Sequence, residues 1–145
     1  MQLTEQYPQV CELTELTSLA ITECDLLDEV GDGLISDPEK CSQTFKPDDH
    51  IGKRFICAEN GEEISITTAA VNIAQALWTG PKYSNGDFMW YGVEIGTDLS
   101  ALAGSNCTQN GICVPDARAT LEEWWRYWIL KDPSADLPIL THAQF

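Results

Sequence analysis

The stretch CDLLDEVGDGLISDPEKC, residues 24–41, concentrates negative charge between two cysteines. Within thirteen residues it places five acidic side chains: Asp25, Asp28, Glu29, Asp32 and Asp37. Like charges at this density repel one another, and neither Lys nor Arg lies among them. The stretch is therefore either a solvated surface loop or a loop that encloses a cation.

The ligands that this loop offers favour calcium over magnesium. Calcium takes roughly six to eight oxygen ligands from carboxylates and backbone carbonyls, whereas magnesium resists full dehydration. Asp25, Asp28 and Asp32 recur at spacings of three and four. The carbonyls of Val30 and Leu34 would complete such a ligand set. The spacing is not that of an EF-hand loop, which places its carboxylates at alternate positions.

The composition excludes several classes of partner. The net charge is −15 and the sequence pI is about 4.2. Nucleic acids and anionic membrane surfaces both bind clusters of Lys and Arg, so we expect neither as a partner. No apolar run approaches the length of a membrane span. The apolar fraction of 43% is typical of a globular chain, and we interpret residues 1–145 as one domain.

The six cysteines indicate disulfides rather than a zinc or redox site. No two of them form a CxxC motif, and an even number of cysteines favours disulfides in an oxidising, extracellular compartment. A glycosylation sequon at Asn106 points the same way. The opening MQLTEQYPQV lacks the basic and apolar regions of a signal peptide, so we expect a piece of a longer secreted chain.

Hydrophobic periodicity predicts helices over 13–24, 66–81 and 119–132. Thr14 is the predicted cap of the first, and Thr67 or Thr68 that of the second. Residues 41–57 show no clear period and are predicted to be a long connection.

A small hairpin is predicted over residues 83–96. Asn85-Gly86 suits a type I′ turn because both residues tolerate positive φ, and aromatic and β-branched residues follow. The predicted fold class is α+β: mainly helical, with a small β-hairpin or sheet and long irregular loops stabilised by disulfides and calcium.

Residues 24–41 resemble the Cys-Asp-x-x-Asp-Gly-Val-x-Asp-Gly-Ile-Ile-x-Asp-Pro-x-x-Cys signature of the tannase and feruloyl esterase family. In that family the stretch is a structural calcium site closed by a disulfide, in a lid domain inserted into an α/β-hydrolase fold. Residues 67–86, residues 90–98 and the Trp-rich helix up to KDP are similar to later parts of the lid. The resemblance covers most of the chain.

The resemblance implies a Cys24–Cys41 disulfide around the calcium ligands, which are Asp25, Asp28 and Asp32 with the carbonyls of Val30 and Leu34. Proximity then favours Cys107–Cys113, which leaves Cys11 to pair with Cys57. One position departs from the family pattern, because Glu29 stands where the pattern has Gly. We expect strain at Glu29 if its φ is positive, and we do not count it as a ligand.

The family resemblance implies that the chain is the lid of a secreted carboxylic ester hydrolase acting on feruloyl or galloyl esters. The family's Ser-His-Asp triad has its serine in a Cys-Ser-x-Gly-Gly turn. Here Cys41-Ser42 is followed by Gln43-Thr44, and neither His50 nor His142 precedes a Cys. We therefore expect the triad to lie in an α/β-hydrolase domain outside this chain, and the segment alone to be inactive.

A lid supplies walls for a phenolic group, and aromatic side chains suit that task. Trp124, Tyr127 and Trp90 are the candidates for substrate contact, although such rings commonly serve to pack a domain. Arg126 is expected to pair with Glu122 or Glu123. The alternative function is a stand-alone, secreted, disulfide-rich calcium-binding module that interacts with a partner without catalysis.

Overall fold

The computed structural model describes residues 7–108, 113–116 and 119–135. The helices of this part of the chain are α1 (Val10–Cys24), α2 (Pro38–Thr44), α3 (Thr68–Thr79) and α4 (Ala119–Trp124), which continues as a π-helix over Trp125–Leu130. Single 3-10 turns are formed by Asp25–Asp28, Pro47–His50 and Leu99–Ala101. None of the helices described is long and apolar enough to cross a membrane.

Two small antiparallel sheets accompany the helices. β1 (Arg54–Ile56) pairs with β2 (Glu63–Ser65), and β3 (Ser105–Cys107) pairs with β4 (Cys113–Pro115). The helix-rich α+β class predicted from the sequence is confirmed. The β1–β2 pair was not predicted, and β1 lies in the segment interpreted as a connection. Its strands are three residues long, which is too short for a clear alternation of apolar and polar positions.

The core lies where α1 packs against α3. Leu13, Leu16 and Ala20 recur at helical spacing on α1 and are fully buried. Val71 and Ala74 do the same on α3. These side chains belong to one apolar cluster, which fixes the two helices against each other.

A buried carboxylate connects the starts of α1 and α3. Glu12 is 3% exposed and accepts hydrogen bonds from the Gln9 N–H at 2.9 Å and from the Thr67 N–H and Oγ1, each at 2.7 Å. Thr67 Oγ1 accepts in turn from the Ala70 N–H, so the predicted cap of α3 is confirmed. The predicted cap at Thr14 is wrong: α1 begins at Val10 with a Gln9–Glu12 capping box, a spacing readable in the sequence.

Three disulfides join these elements, in the pairs that were expected. Cys11–Cys57 connects α1 to the end of β1, and Cys24–Cys41 connects the end of α1 to α2, with Cα atoms 5.6 and 5.4 Å apart. Cys107–Cys113 connects β3 to β4 at 3.9 Å. The first two bonds anchor both ends of α1, which contributes one side of the helical core.

The hairpin predicted over residues 83–96 is wrong. One isolated bridge joins Lys82 to Phe88, and Asn85 lacks the positive φ that a type I′ turn requires. The segment beyond it folds back onto α3 instead, where the Val93 N–H donates to the Leu77 carbonyl at 2.9 Å. This bond satisfies a carbonyl that the end of a helix leaves unpaired.

Glycines permit this contact between the two backbones. A Cβ atom on Gly80 would lie 2.3 Å from the Trp90 carbonyl oxygen, and one on Gly92 would lie 2.2 Å from the Trp78 carbonyl oxygen. Since no side-chain carbon fits at these distances, only glycine allows the two backbones to meet here.

Candidate functional site

The three predicted calcium-binding carboxylates lie in one exposed loop directly after α1. Asp25 Oδ1 accepts from the N–H groups of Asp32 and Gly33 at 3.1 and 2.7 Å. Asp28 Oδ1 accepts from the Val30 N–H at 2.9 Å, and Asp32 Oδ1 accepts from the Leu34 N–H at 3.0 Å. The carboxylates therefore hold the backbone of the loop that carries them.

The loop has the ligand chemistry of a calcium site, since its potential ligands are all oxygen atoms of carboxylates and backbone carbonyls. Its side chains are turned to backbone amides, and among the residues that the structure describes no three His, Cys, Asp or Glu side chains form a group that could hold a metal ion. Asp37 has a different role, because its Oδ1 caps α2 by accepting from the Lys40 N–H at 2.9 Å.

The backbone at Glu29 is left-handed, with φ at 71°. Because Glu29 stands where the family pattern has glycine, this positive φ is the strained conformation that was expected. The pKa of the neighbouring Asp28 is lowered by a hydrogen bond from the Ser36 side chain and then by the Val30 N–H. Both bonds favour the ionised form of this exposed carboxyl group.

The predicted substrate residues lie in two regions, the segment after Asn85-Gly86 and the C-terminal helix, and all are exposed. Trp90 lies in a patch of three rings, the Trp90 patch, formed with Phe88 and Tyr91. Tyr91 meets Phe88 and Trp90 edge to face, with centroids 5.0 and 5.8 Å apart. Its members are 59 to 73% exposed, so the patch is open to a ligand or to another protein surface.

The second set of exposed rings is the α4 aromatic surface, formed by Trp124, Tyr127 and Trp128. These side chains are 53, 57 and 71% exposed, so they do not serve as core packing within the described part of the chain. Arg126 Nη1 lies 3.4 Å from Glu122 Oε2, which confirms the expected ion pair. This cation is therefore already partnered.

Three further residues named from the sequence lie outside these surfaces: Ser42, His50 and Asn106. Ser42 Oγ donates to the Glu39 carbonyl at 2.7 Å, while His50 Nε2 lies 3.1 Å from a carboxylate oxygen of Glu23. Ser42 and His50 thus have separate partners and are not arranged as nucleophile and base. Asn106 is exposed on β3, where a glycan could be attached.

Comparison with known proteins identifies the family. Residues 1–121 match the model of the family described as tannase and feruloyl esterase. This chain therefore belongs to the tannase and feruloyl esterase family.

Its relatives are fungal enzymes that are much longer than this chain. It is 30% identical to a probable feruloyl esterase of Arthroderma benhamiae, over 99% of this chain and 26% of that protein. It is 26% identical to a tannase of Aspergillus oryzae, over 68% of this chain and 22% of that protein. The chain thus spans about a quarter of the length of these relatives.

Solved structures show the same fold. Tannin acyl hydrolase from Aspergillus niger superposes with a TM-score of 0.80 at 18% identity, over 95% of this chain and 26% of that one. Feruloyl esterase B from Aspergillus oryzae gives a TM-score of 0.62 at 24% identity, over 97% and 26% of the two chains.

Proposed function

We propose that this chain is the lid of a secreted carboxylic ester hydrolase that acts on feruloyl or galloyl esters. The observation that carries the proposal is membership of the tannase and feruloyl esterase family over about a quarter of its relatives' length. The activity requires a Ser-His-Asp triad, which we place elsewhere in the parent protein; the separate partners of Ser42 and His50 support this placement. We assign that triad to an α/β-hydrolase domain, which is the lid's main partner.

The exposed aromatic side chains are the contacts that this function needs. A phenolic group requires flat apolar walls, and Trp90, Trp124 and Tyr127 offer rings that no described core residue covers. Each ring contacts either the phenolic group or the hydrolase domain that the lid covers. Both roles require rings that are exposed to solvent when the lid is isolated.

Secretion is supported by the disulfides, since such bonds persist in oxidising compartments. An exposed Asn106 within a sequon is consistent with a glycan on the same secreted protein.

We also propose that the acidic loop binds one structural calcium ion through the side chains of Asp25, Asp28 and Asp32 and the carbonyls of Val30 and Leu34. Bound calcium would supply positive charge to an exposed loop whose three carboxylates accept hydrogen bonds from its backbone amides. The Cys24–Cys41 disulfide fixes both ends of that loop, which lowers the ordering that binding requires.

The calcium proposal is tested by the melting temperature with and without excess calcium. We expect calcium to raise it, and Asp25→Asn to remove the increase while keeping an oxygen for the two amides. Glu29→Gln removes a charge from the same loop without removing a ligand, so it should retain the increase. Either no increase in the unaltered protein or a full increase in Asp25→Asn would exclude the site.

The lid proposal is tested by sequencing the native transcript on both sides of codons 1 to 145. We expect a Cys-Ser-x-Gly-Gly turn upstream, and an aspartate and a His-Cys pair downstream. Stop codons close to both ends, with a signal peptide just before Met1, would leave the stand-alone calcium-binding module instead.

A further inference from the structure

Asn106 lies between two residues that the fold holds in place. On one side, Ser105 is 7% exposed and its Oγ donates a hydrogen bond to the Pro8 carbonyl, just before α1. On the other side, Cys107 is bonded to Cys113. The acceptor residue of the glycosylation sequon is therefore fixed through both of its neighbours.

The backbone of the sequon is also part of a sheet. In the β3–β4 pair, Asn106 lies opposite Val114, and Cys107 lies opposite Cys113. The disulfide thus joins the two strands at Cys107, which is the middle position of the Asn106-Cys107-Thr108 sequon. An enzyme that attaches a glycan has to enclose this segment of backbone, and a paired and cross-linked strand opposes that. The closed sheet therefore hinders glycosylation of Asn106.

The folded protein nevertheless has room for a glycan once it is attached. Asn106 and Cys107 are exposed on β3, and Ser105 is the residue of this strand that is buried. A bulky sugar on the Asn106 side chain would extend into solvent. The structure thus accommodates the product while it hinders the reaction, so the limit on glycosylation is one of timing.

The disulfide beside Asn106 is also the one that needs the least chain to close. Its cysteines are 6 residues apart, whereas the other two bonds span 17 and 46 residues. The entropic cost of bringing two cysteines together rises with the length of chain between them. At a synthesis rate of about 5–20 residues per second, Cys113 follows Cys107 within roughly one second. The bond can therefore begin to form almost as soon as the sequon is available.

We propose that closure of the Cys107–Cys113 disulfide prevents glycosylation of Asn106, so that the glycan is attached only while Cys107 is a thiol. In glycosylation, Asn106 Nδ2 displaces a lipid-linked diphosphate from sugar carbon C1 and loses one proton. In closure, the two thiols lose two protons and two electrons to the disulfide of an oxidising catalyst, which becomes two thiols. A glycosylated chain can still close the bond afterwards, so the mature protein is a mixture of glycosylated and unglycosylated molecules.

This inference rests on the secretion proposed above and names what regulates the Asn106 site. The test measures the glycan occupancy of Asn106 in the complete protein that carries this chain, produced in a yeast that adds N-linked glycans. Enzymatic removal of the glycans in heavy-oxygen water marks each modified asparagine, and mass spectrometry of the Asn106 peptide gives the modified fraction. Cells and medium are analysed together, so a variant that is retained in the cell is still counted.

We expect partial occupancy in the unaltered protein. Cys113→Ala leaves the sequon intact and should raise the occupancy about twofold, because it removes a reaction that otherwise closes the site within seconds to hours. Cys107→Ala opens the same bond but changes the middle residue of the sequon, and it should raise the occupancy equally. Val114→Ala is the matched control, because it changes the residue opposite Asn106 while keeping both cysteines, and it should leave the occupancy unchanged.

The proposal is overturned if Cys113→Ala and the unaltered protein have equal occupancy, or if every molecule of the unaltered protein is glycosylated at Asn106. A rise in Cys107→Ala alone would assign the effect to the middle residue of the sequon, and an equal rise in Val114→Ala would assign it to strand pairing; either result overturns the role of the bond. Absence of a glycan at Asn106 in every variant also overturns it. Recovery of such protein from the medium would leave the proposed secretion standing.

Discussion

The N-terminal helix α1 and the C-terminal helix formed by α4 with its π-helical continuation both carry apolar side chains at helical spacing. On α1 these side chains are fully buried, as at Leu13 and Leu16. On the C-terminal helix Trp124 and Trp128 are 53 and 71% exposed. The same kind of pattern thus leads to a core in one region and to an open surface in the other.

The difference lies in what each helix has to pack against. α1 meets α3, shares the Glu12 hydrogen bonds with it and is tied by disulfides at Cys11 and Cys24. The exposed rings of the C-terminal helix have no comparable cover within the described residues. An apolar stripe therefore predicts burial against another surface. Only the structure shows whether that surface belongs to the same chain.

The largest expected single effect comes from the disulfides of the two regions. Cys11–Cys57 spans 46 residues and Cys107–Cys113 spans six. The loop-entropy relation gives about 4 kcal/mol for the first bond and about 2 kcal/mol for the second. Urea unfolding of each double Cys→Ala variant would measure these losses. Equal losses would mean that the first bond does not constrain the helical core as described.

Truncation of one apolar side chain in each region is the most direct comparison. Leu16→Ala empties a fully buried position and should lower the free energy of unfolding by about 3 kcal/mol. Trp128→Ala removes a larger but exposed side chain and should change it by less than about 0.5 kcal/mol. Denaturant titration of both variants measures these changes. A large loss of unfolding free energy in Trp128→Ala would contradict the exposed position of Trp128.

A carboxylate in each region allows a matched pair of Glu→Gln changes. Glu12 is buried and accepts three hydrogen bonds, so Glu12→Gln should cost about 2 kcal/mol. Glu122 lies in an exposed i,i+4 ion pair with Arg126, so Glu122→Gln should cost about 0.4 kcal/mol. Thermal unfolding of both variants would reveal the order, and a reversed order would refute the role given to Glu12.

One substitution is expected to give a gain, within the loop that the Cys24–Cys41 disulfide closes. Glu29 has a φ of 71°, so Glu29→Gly should raise the free energy of unfolding by about 1 kcal/mol. Glu29→Ala, which keeps a Cβ atom, should give no comparable gain. Both are measured by denaturant titration, and equal results for the two variants would show that the backbone is not strained there.

Much of the helical core could be predicted from the sequence. The spacing of apolar residues placed α1 and α3, and the preference of Thr for helix starts located the cap at Thr67. The segment after Asn85-Gly86 could not be predicted, because its conformation depends on the packing of Gly92 against α3, which local sequence preference does not encode.

The candidate site was only partly visible from sequence. The acidic loop stood out by its charge, and its family signature included the left-handed position at Glu29. A cleft between α3, the Pro47–His50 turn and residues 91–95 gave no signal, because its walls come from segments far apart in the chain that only the fold brings together.

The measurement that tests the central claim most directly is hydrolysis of methyl ferulate by the complete protein that carries this chain, with and without Trp124→Ala. We predict hydrolysis by the unaltered protein and a kcat/KM about tenfold lower for Trp124→Ala, with an unchanged melting temperature. No hydrolysis of methyl ferulate or methyl gallate by the unaltered protein would contradict the assignment to a phenolic ester hydrolase. Full activity of Trp124→Ala would contradict a functional role for the α4 aromatic surface.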